Sequence, residues 1–352
     1  MIIYKPKEFA EKIGVTVRTL QQWDRDGKLI ANRNPKDRRY YTHQQYIDYI
    51  DDTNEVHIDV NDISLPDLRE HVQQSSNGVL RYLDSVSDIE GRDDDLKALS
   101  YNMNRLDKMA TLLIADGGVG KSTLCKAYPK YSEDNIGKTI DMFQLDLKYI
   151  IDDGYATLTK KLEHILNILK QYEQELENYV FDSEVVLLID DIHQLMVVFN
   201  QYTNAGDSML RELLERIRLD FRVIATTTQL EYSKYIGNYD ELNRCFNTTN
   251  LKTLSKSDVL QILKSWLHQN IGRDLTNIVD DDTLQYILDV SQKHLPNLNE
   301  PMRSLNILTC LHSVYTVENR KMDKLMVQDL LLKLYGIDCS NEENDNIEKG
   351  RF

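Results

Sequence analysis

The residue types with the clearest chemistry lie between positions 111 and 124, in the run TLLIADGGVGKSTL. Three apolar residues predict a buried strand, a glycine-rich turn follows, and the run KST is typical of a helix start. Glycines lack a Cβ atom, so consecutive backbone N–H groups can turn inward around an anion. The lysine amine can then reach the outer phosphates of ATP, and the serine hydroxyl can ligate Mg²⁺. The predicted nucleotide ligands are Ala115, Asp116, Gly117, Gly118, Val119, Gly120, Lys121, Ser122 and Thr123.

An acidic motif follows in the run VVLLIDDIHQL, residues 185–195. Its apolar residues predict a buried parallel strand, and open α/β sheets bind ligands at the carboxyl ends of such strands. We expect Asp190 to hold Mg²⁺ together with Ser122, and Asp191 to activate an attacking water. The two motifs therefore predict a nucleotide-binding α/β fold. The general pattern GxxxxGK[ST] has glycine where this chain has Ala115, which is the smallest replacement.

The composition is that of a globular protein. The chain has 352 residues, of which 41% are apolar, and this length predicts two or three domains. No apolar run approaches the roughly 20 residues that cross a bilayer. The start MIIYKPKEFAEKIG lacks the layout of a signal peptide, so we expect a cytoplasmic protein with no membrane partner. Four scattered cysteines and eight scattered histidines argue against a disulfide framework and against structural zinc.

The charge distribution separates the start of the chain from the rest. The whole chain has a net charge of −15, yet residues 1–50 contain ten Lys/Arg and six Asp/Glu, a net charge of +4. A basic module on an acidic body is typical of a protein that contacts nucleic acid through one small domain. Within the module, Thr16 is expected to cap a second short helix that ends at Gly27. Two short helices joined by a tight turn predict a helix-turn-helix.

The run EFAEKIGVTVRTLQQWDRDGKLIANRNPKDRRYYT resembles the winged helix-turn-helix of the MerR family, particularly the version in certain serine-recombinase transposases. This resemblance implies binding to double-stranded DNA, with the second helix at the major groove and the wing on backbone phosphates. The implied contact residues are Thr16, Arg18 and Thr19 on the helix and Arg38, Arg39 and Tyr40 on the wing. A solvated basic face is the alternative for the arginines. We expect Leu20, Trp23 and Tyr41 in the domain core.

From about residue 80 to about residue 310, the chain resembles the first AAA+ module of Clp-family protein-unfolding ATPases. The resemblance rests on the run IEGRDDD, the phosphate loop, the acidic motif and the run FRVIATTTQLEYSKYIGNYDELNRCF. It implies that Ile89 and Arg92 lie against adenine. The family has glutamate where this chain has Asp191, whose side chain is one methylene shorter, so the sequence leaves open whether ATP is hydrolysed.

The same resemblance implies three further nucleotide contacts. Thr228 would sense the γ-phosphate, and Arg303 would contact nucleotide from a helical lid. Arg244 would reach the site of a neighbouring subunit, which implies a homo-oligomer; an ordinary surface arginine is the alternative. Clp ATPases also have an aromatic pore loop that grips polypeptide, and Tyr155 is either its counterpart or an ordinary loop aromatic.

The predicted fold class is an α/β AAA+ parallel sheet with a helical lid, preceded by a small all-α winged helix-turn-helix domain. The expected segments are the helix-turn-helix (1–50), a linker (51–79), the ATP-binding domain (80–250), the lid (251–337) and an acidic tail (338–352).

The pairing of these domains predicts an oligomeric, ATP-dependent switch or remodeller at a DNA site, with ATP and Mg²⁺ as cofactors and a protein partner at that site. A plasmid or other mobile element would be its setting. The alternatives are a Clp-like unfoldase recruited to nucleoprotein complexes and a MerR-type transcription regulator that senses ATP.

Overall fold

The chain separates into two compact units, Met1–Ile63 and Ser64–Phe352, here called the N-terminal unit and the C-terminal unit. None of the helices in the described part of the chain has the length and apolar character that crossing a bilayer requires. The computed structural model describes residues 3–12, 15–33, 38–42, 45, 64–86, 89–107, 110–151, 155–177, 179–180, 182–202, 206–272 and 278–339.

The N-terminal unit combines helices with a small antiparallel sheet. Its described elements are β1 (Ile3–Tyr4), α1 (Pro6–Lys12), α2 (Val17–Asp26), β2 (Asn32–Arg33) and β3 (Arg39–Thr42). The strands pair in the order β1-β3-β2. The helix-turn-helix is confirmed, but the all-α description of this domain omitted the sheet. Strands of two to four residues are too short to leave a period-2 pattern in the sequence.

The ends of α2 follow from its capping residues. Thr16 Oγ1 accepts a hydrogen bond from the Thr19 N–H at 3.1 Å, which satisfies one of the free donors of the first turn. Gly27 ends the helix with φ of 75°, a left-handed conformation that favours glycine. Both caps agree with the sequence prediction.

The core of the N-terminal unit is aromatic. Leu20 and Tyr41 are fully buried, and the ring of Tyr41 stacks on that of Phe9 with centroids 4.4 Å apart. Trp23 packs against the same core while remaining partly exposed, and Lys28 Nζ lies 4.8 Å from the centroid of its ring. The three residues expected in the core therefore pack there, because so small a domain must bury its few large side chains.

A six-stranded sheet organises the C-terminal unit. The strand order is β4-β6-β7-β8-β5-β9, in which β4 pairs antiparallel with β6 and the remaining pairs are parallel. All five residues of β5 are buried, as expected for a parallel strand that is covered on both faces. The strands are β4 (Leu80–Tyr82), β5 (Ala110–Ile114), β6 (Thr139–Leu145), β7 (Ser183–Ile189), β8 (Arg222–Thr227) and β9 (Phe246–Asn250).

Helices connect these strands. They are α3 (Leu65–Ser75), α4 (Asp93–Met103), α5 (Lys121–Ile136), α6 (Lys148–Ile151), α7 (Tyr155–Leu176), α8 (His193–Tyr202), α9 (Gly206–Asp220), α10 (Gln229–Tyr235) and α11 (Asp240–Asn243). An apolar stripe on α7 is buried, with Leu162, Ile165 and Leu169 at most 4% exposed. The α/β class with a parallel sheet is thus confirmed.

A helical bundle with its own core follows the last strand and forms the lid. Its helices are α12 (Lys256–Ile271), α13 (Asp281–His294), α14 (Met302–Glu318) and α15 (Lys324–Tyr335). Leu263, Ile287 and Leu311 are fully buried in the centre of this core. Cys339 is buried in it as well, so the chain still belongs to the lid at the first residues of the expected acidic tail. The remainder of that tail lies outside the described residues.

The structure differs from the sequence interpretation at residues 64–79, which belong to the C-terminal unit rather than to a linker. Here Ser64 caps α3, whose Leu68 and Val72 are buried. Only two buried apolar positions mark this short helix, which explains why the segment resembled a polar linker in the sequence.

An ion pair between half-buried Arg69 and buried Asp141 fastens α3 to the sheet. Asp141 on β6 accepts hydrogen bonds from Arg69 Nε at 3.0 Å and Arg69 Nη2 at 2.6 Å. The same carboxylate accepts from the hydroxyl of Tyr82 at 3.3 Å and from that of Tyr172. Burial and the negative charge of Asp141 raise the pKa of Tyr82 to about 12, so this hydroxyl remains a donor. The network therefore joins α3, β4, β6 and α7.

Candidate functional site

The predicted phosphate loop lies between β5 and α5, at the carboxyl end of the parallel strands. The Ala115 N–H donates to the Thr227 carbonyl at 3.3 Å, which continues the pairing of β5 with β8. Ala115 is buried and does not have a left-handed backbone. Alanine therefore fits here, because this position does not need a conformation that favours glycine.

Two glycines of the loop do need that freedom. The backbone φ is +82° at Gly118 and +103° at Gly120, a region that residues with a Cβ rarely adopt. A Cβ built on Gly117 or Gly120 would meet no atom within 4 Å, so the space beside them is open. Val119 between them is 4% exposed and fixes the loop to the core. An open, glycine-lined cradle at the start of a helix fits the phosphates of a nucleotide.

The lysine of the motif points at its own loop. Lys121 Nζ donates to the carbonyl oxygens of Ala115 at 2.7 Å and Asp116 at 3.2 Å. The ammonium group is thus held at the mouth of the cradle by neutral acceptors. Phosphate oxygens carry more charge than carbonyl oxygens and make stronger charge-assisted hydrogen bonds, so the amine can exchange one for the other.

The acidic motif approaches the phosphate loop at the end of β7. Ser122 Oγ lies 3.4 Å from Asp190 Oδ2, and both are oxygen ligands of the kind that Mg²⁺ prefers. Asp191 has φ of +52°, an uncommon conformation that aspartate tolerates better than most residues. A cavity of about 280 Å³ borders both aspartates, with ample volume for water. The remaining predicted ligand, Thr123, is exposed on the first turn of α5.

Thr226 was not predicted as a site residue, yet it contacts both aspartates. Its hydroxyl donates to Asp190 Oδ1 and accepts from the Asp191 N–H at 3.0 Å. The side chain is fully buried at the end of β8. A run of three threonines at the end of a buried strand was the available signal, but it does not indicate which hydroxyl faces the acidic pair.

The predicted adenine box is built around a buried arginine. Arg92 is 6% exposed and donates to Asp95 at 2.6 Å and to the carbonyls of Lys252 at 2.8 Å and Val119 at 2.7 Å. Its guanidinium therefore ties the phosphate loop to the segment that leads into the lid. Ile89 is partly buried against the core of the sheet. Contact of either residue with adenine stays a prediction.

The lid touches the phosphate loop directly. Asn299 Nδ2 donates to the Gly117 carbonyl at 3.0 Å, and the Met302 N–H donates to the Gly118 carbonyl at 3.4 Å. Asn299 also borders a cavity of about 320 Å³, whose lining combines apolar side chains such as Leu254 with polar and charged ones such as Lys256. The volume of this cavity lies within the range of small-molecule sites.

The predicted lid sensor borders the same cavity. Arg303 Nε donates to Glu300 Oε1 at 2.8 Å, and Arg303 Nη1 donates to the Leu298 carbonyl at 3.3 Å. Glu300 also accepts hydrogen bonds from Ser304. Arg303 is therefore held in place at the cavity wall by an ion pair, and its contact with nucleotide stays a prediction.

Three further predicted residues differ in exposure. Thr228 caps α10 by accepting from the Glu231 N–H at 3.2 Å, and its side chain is half-buried. Arg244 is exposed at the end of α11, and its side chain makes no hydrogen bond or ion pair within the described residues. Tyr155 is the first residue of α7, but its side chain lies outside the part of the chain that the structure describes.

The predicted DNA-contacting residues of α2 lie at its start. Arg18 is exposed, and its side chain makes no hydrogen bond to another described residue. Thr16 and Thr19 hydrogen-bond each other, with 2.8 Å between their hydroxyl oxygens. Thr16 therefore serves first as a helix cap, and Arg18 is the residue of this trio best presented for an outside contact.

The wing arginines differ from one another. Arg39 Nε donates to Asp24 Oδ2 at 2.5 Å, and Arg33 Nη2 donates to the same oxygen at 3.2 Å. Arg39 thus fixes the wing to α2, a role that the sequence prediction of a phosphate contact missed. Arg38 is exposed immediately before β3, and Tyr40 is half-buried opposite Asn32.

Comparisons with known proteins give one family match in each of the two units. Residues 4–46 match the family described as MerR HTH family regulatory protein. Residues 111–248 match the family described as ATPase family associated with various cellular activities (AAA).

Curated relatives extend the second match. The chaperone protein ClpB of Mycoplasma pneumoniae is 23% identical over 252 residues, which cover 69% of this chain and 34% of ClpB. The ATP-dependent Clp protease ATP-binding subunit ClpL of Staphylococcus aureus is 23% identical over 283 residues, 76% of this chain and 39% of ClpL. The chain therefore spans little more than a third of the length of these relatives.

Solved structures give the same fold. A closed-state reconstruction of Hsp104 with ATPγS and FITC casein superimposes with a TM-score of 0.59 at 20% identity, covering 79% of this chain and 46% of that one. The ADP complex of Hsp104 from S. cerevisiae gives a TM-score of 0.58 at 19% identity, with 80% and 48% coverage. The chain thus joins a MerR-type helix-turn-helix to an AAA domain that resembles the ATPase module of Clp proteins and Hsp104.

Proposed function

We propose that this protein binds DNA through its N-terminal unit and binds ATP with Mg²⁺ at the phosphate loop, and that ATP drives its assembly into an oligomer at a DNA site. The observation that carries the proposal is the meeting of Ser122 and Asp190 beside an open glycine cradle, in a chain that also has a helix-turn-helix. Such a protein is an oligomeric switch or remodeller. A plasmid or other mobile element would use it in replication, transposition or transcription.

The described residues fit a nucleotide and its metal. The loop N–H groups and Lys121 would hold the phosphates, while Ser122 and Asp190 would hold Mg²⁺, directly or through water. The lid cavity beside Asn299 would take the base, because its lining includes apolar side chains such as Leu254. When bound, the metal would neutralise charge on the β- and γ-phosphates.

Assembly would follow from Arg244. This exposed cation lies on the C-terminal unit without a described partner for its side chain, as expected of a residue that reaches the nucleotide of a neighbouring subunit. The next residue, Cys245, is buried, so it offers no second contact to the nucleotide of a neighbouring subunit. An arginine supplied from a neighbour makes each site depend on assembly.

Hydrolysis depends on Asp191. Its carboxylate borders a cavity large enough for water, which supports a role as the base. The shorter side chain instead supports a regulator that binds ATP as a signal. Turnover therefore separates a remodeller from a transcription regulator that senses ATP.

A second candidate function is a Clp-like unfoldase recruited to nucleoprotein complexes. It is favoured by the likeness to Hsp104, one of whose structures was determined with casein. Replacing Tyr155 with alanine separates the two functions. A threading enzyme would lose its remodelling activity, whereas a switch would keep ATP-dependent assembly.

The test of the proposed function is ATP turnover by the full-length protein with and without duplex DNA, with Lys121→Ala as background. A remodeller gives turnover above background that rises with DNA. A nucleotide-gated switch gives tight ATP binding without turnover. Absence of ATP binding to the wild-type protein would contradict both.

A further inference from the structure

Thr226 lies where the two strands that end at the candidate site run side by side. The register of the parallel pair sets Ile189 of β7 against Ala225 of β8. The next residues along the two strands are Asp190 and Thr226, so they are neighbours at the carboxyl ends of the strands. Both the register and the complete burial of Thr226 fix the position of its hydroxyl.

The hydroxyl of Thr226 both donates and accepts a hydrogen bond. A threonine hydroxyl has one hydrogen to donate and lone pairs with which to accept. It donates that hydrogen to Asp190 Oδ1 and accepts from the Asp191 N–H at 3.0 Å. The other oxygen of Asp190, Oδ2, is then the one that faces Ser122 Oγ at 3.4 Å. One side chain therefore orients the acidic pair.

The contact also bears on the backbone of Asp191. This residue has φ of +52°, a sparsely populated conformation that persists only where neighbouring contacts hold it. Its N–H is held by the Thr226 hydroxyl, and the N–H of the next residue, Ile192, donates to the Thr226 carbonyl at 3.0 Å. The turn after β7 is thus attached to Thr226 at two points.

We propose that Thr226 is a positioning residue for the metal and the hydrolytic base: it aims Asp190 at the cation site and holds Asp191 in its turn. The inference rests on the proposed binding of ATP with Mg²⁺. Without the hydroxyl, Asp190 can rotate and the Asp191 N–H loses its buried acceptor. The affinity for Mg²⁺ and the rate of turnover then fall, while metal-free binding of ATP to the loop does not change.

The experiment compares Thr226→Val, which keeps the shape and removes the hydroxyl, with Thr226→Ser, which keeps the hydroxyl. ATP binding to the full-length protein is measured in EDTA and across a Mg²⁺ titration, and turnover is measured at saturating ATP. We expect Thr226→Val to raise the Mg²⁺ concentration for half-saturation by about tenfold or more, as for loss of one charge-assisted hydrogen bond. Thr226→Ser should remain within about threefold of the wild type, since serine restores the contact.

Thr227→Val is the matched control. Thr227 is also fully buried in β8, but its hydroxyl faces His193 Nδ1 at 3.3 Å rather than the aspartates. This variant should keep the Mg²⁺ dependence of the wild type. If the valine variant of Thr226 does not fold, Thr226→Ala removes the same hydroxyl without added bulk and carries the same expectation.

The outcomes separate the two levels of inference. If the wild type binds ATP and the hydroxyl-free variants need no more Mg²⁺ than it does, the role of Thr226 is overturned while the proposed function stands. An equal loss in Thr226→Ser and Thr226→Val would overturn it as well, because a general packing defect would then be the cause. If the wild type binds no ATP, both inferences fail.

Discussion

In the described part of each unit a buried aspartate binds arginine. In one unit that arginine lies outside every predicted ligand site, whereas in the other it lies on the predicted DNA-binding wing. Asp141 in the C-terminal unit is 1% exposed and binds Arg69, which belongs to no predicted ligand site. Asp24 in the N-terminal unit is 5% exposed and binds Arg39 and Arg33 of the wing.

The consequence for function differs accordingly. In the C-terminal unit, the ion pair involves none of the residues proposed to hold phosphate, which are mainly backbone N–H groups of the loop. In the N-terminal unit, the ion pair takes up cations that a DNA backbone would otherwise attract. A ligand site made of backbone groups is thus fixed by local conformation, whereas a site made of side chains also depends on which partners the fold brings near.

The largest effect is expected at Asp141. Replacing it with asparagine leaves the half-buried Arg69 without its counter-charge, and removing one partner of a buried pair costs about 3–5 kcal/mol. The free energy of unfolding of the C-terminal unit should fall by this amount in urea titrations followed by Trp266 fluorescence, in a Trp23→Phe background.

A matched control uses an exposed pair. Asp134→Asn breaks the contact with Lys130 at 2.7 Å on the surface of α5 and should cost less than about 1 kcal/mol. Combining Asp141→Asn with Arg69→Met should recover part of the loss, since the unpaired charge is gone. Equal costs at Asp141 and Asp134 would mean that the buried network does not fasten α3.

A smaller effect is expected at Asp24. The hydrogen bond from Arg39, and then that from the Ala31 N–H, hold the pKa of Asp24 below its ordinary value. A lowered native pKa means that the stabilisation is complete above the unfolded pKa of about 4 and is lost as the pH falls through the native value. Asp24→Asn should therefore destabilise the N-terminal unit by about 1–2 kcal/mol at neutral pH.

The measurement is urea unfolding from about pH 2 to about pH 7, a range that spans the titration of carboxylates. Unfolding is monitored by the fluorescence of Trp23 in a Trp266→Phe background. The difference between wild type and Asp24→Asn should shrink as the pH falls. A difference that stays constant down to the lowest pH would show that the charge of Asp24 does not contribute.

The smallest effect separates the two neighbouring arginines of the wing. Arg38→Ala should reduce the slope of log affinity against log salt by about one, as for one lost phosphate contact. Arg39→Ala should instead destabilise the N-terminal unit, because it removes a partner of Asp24. DNA binding across a salt series, read beside urea unfolding, tests both. Equal reductions of the slope in the two variants would indicate that Arg39 contacts DNA phosphate as well.

The parts that the sequence predicted well are those with local causes. The glycines of the phosphate loop, the caps Thr16 and Gly27 and the apolar run of β5 each determine their own backbone within a few residues. These features suffice for the α/β class and for the position of the loop.

The parts that it missed depend on partners far apart in the chain. Arg39 meets Asp24 fifteen residues earlier, and Arg69 meets Asp141 seventy-two residues later. Thr226 reaches Asp190 across two strands whose register no local pattern encodes. An arginine in a motif therefore indicates where a cation lies, but only the fold determines whether that cation is available to a ligand.

The central claim, that ATP binding and DNA binding are coupled in one chain, is tested most directly by the affinity of the full-length protein for long duplex DNA with and without ATP and Mg²⁺. In the proposed assembly several N-terminal units would bind one duplex together, so we expect ATP to raise the apparent affinity by about tenfold or more. Lys121→Ala and Arg244→Ala should each remove this gain while keeping the affinity measured without ATP. A wild-type affinity that is the same with and without ATP would contradict the coupling.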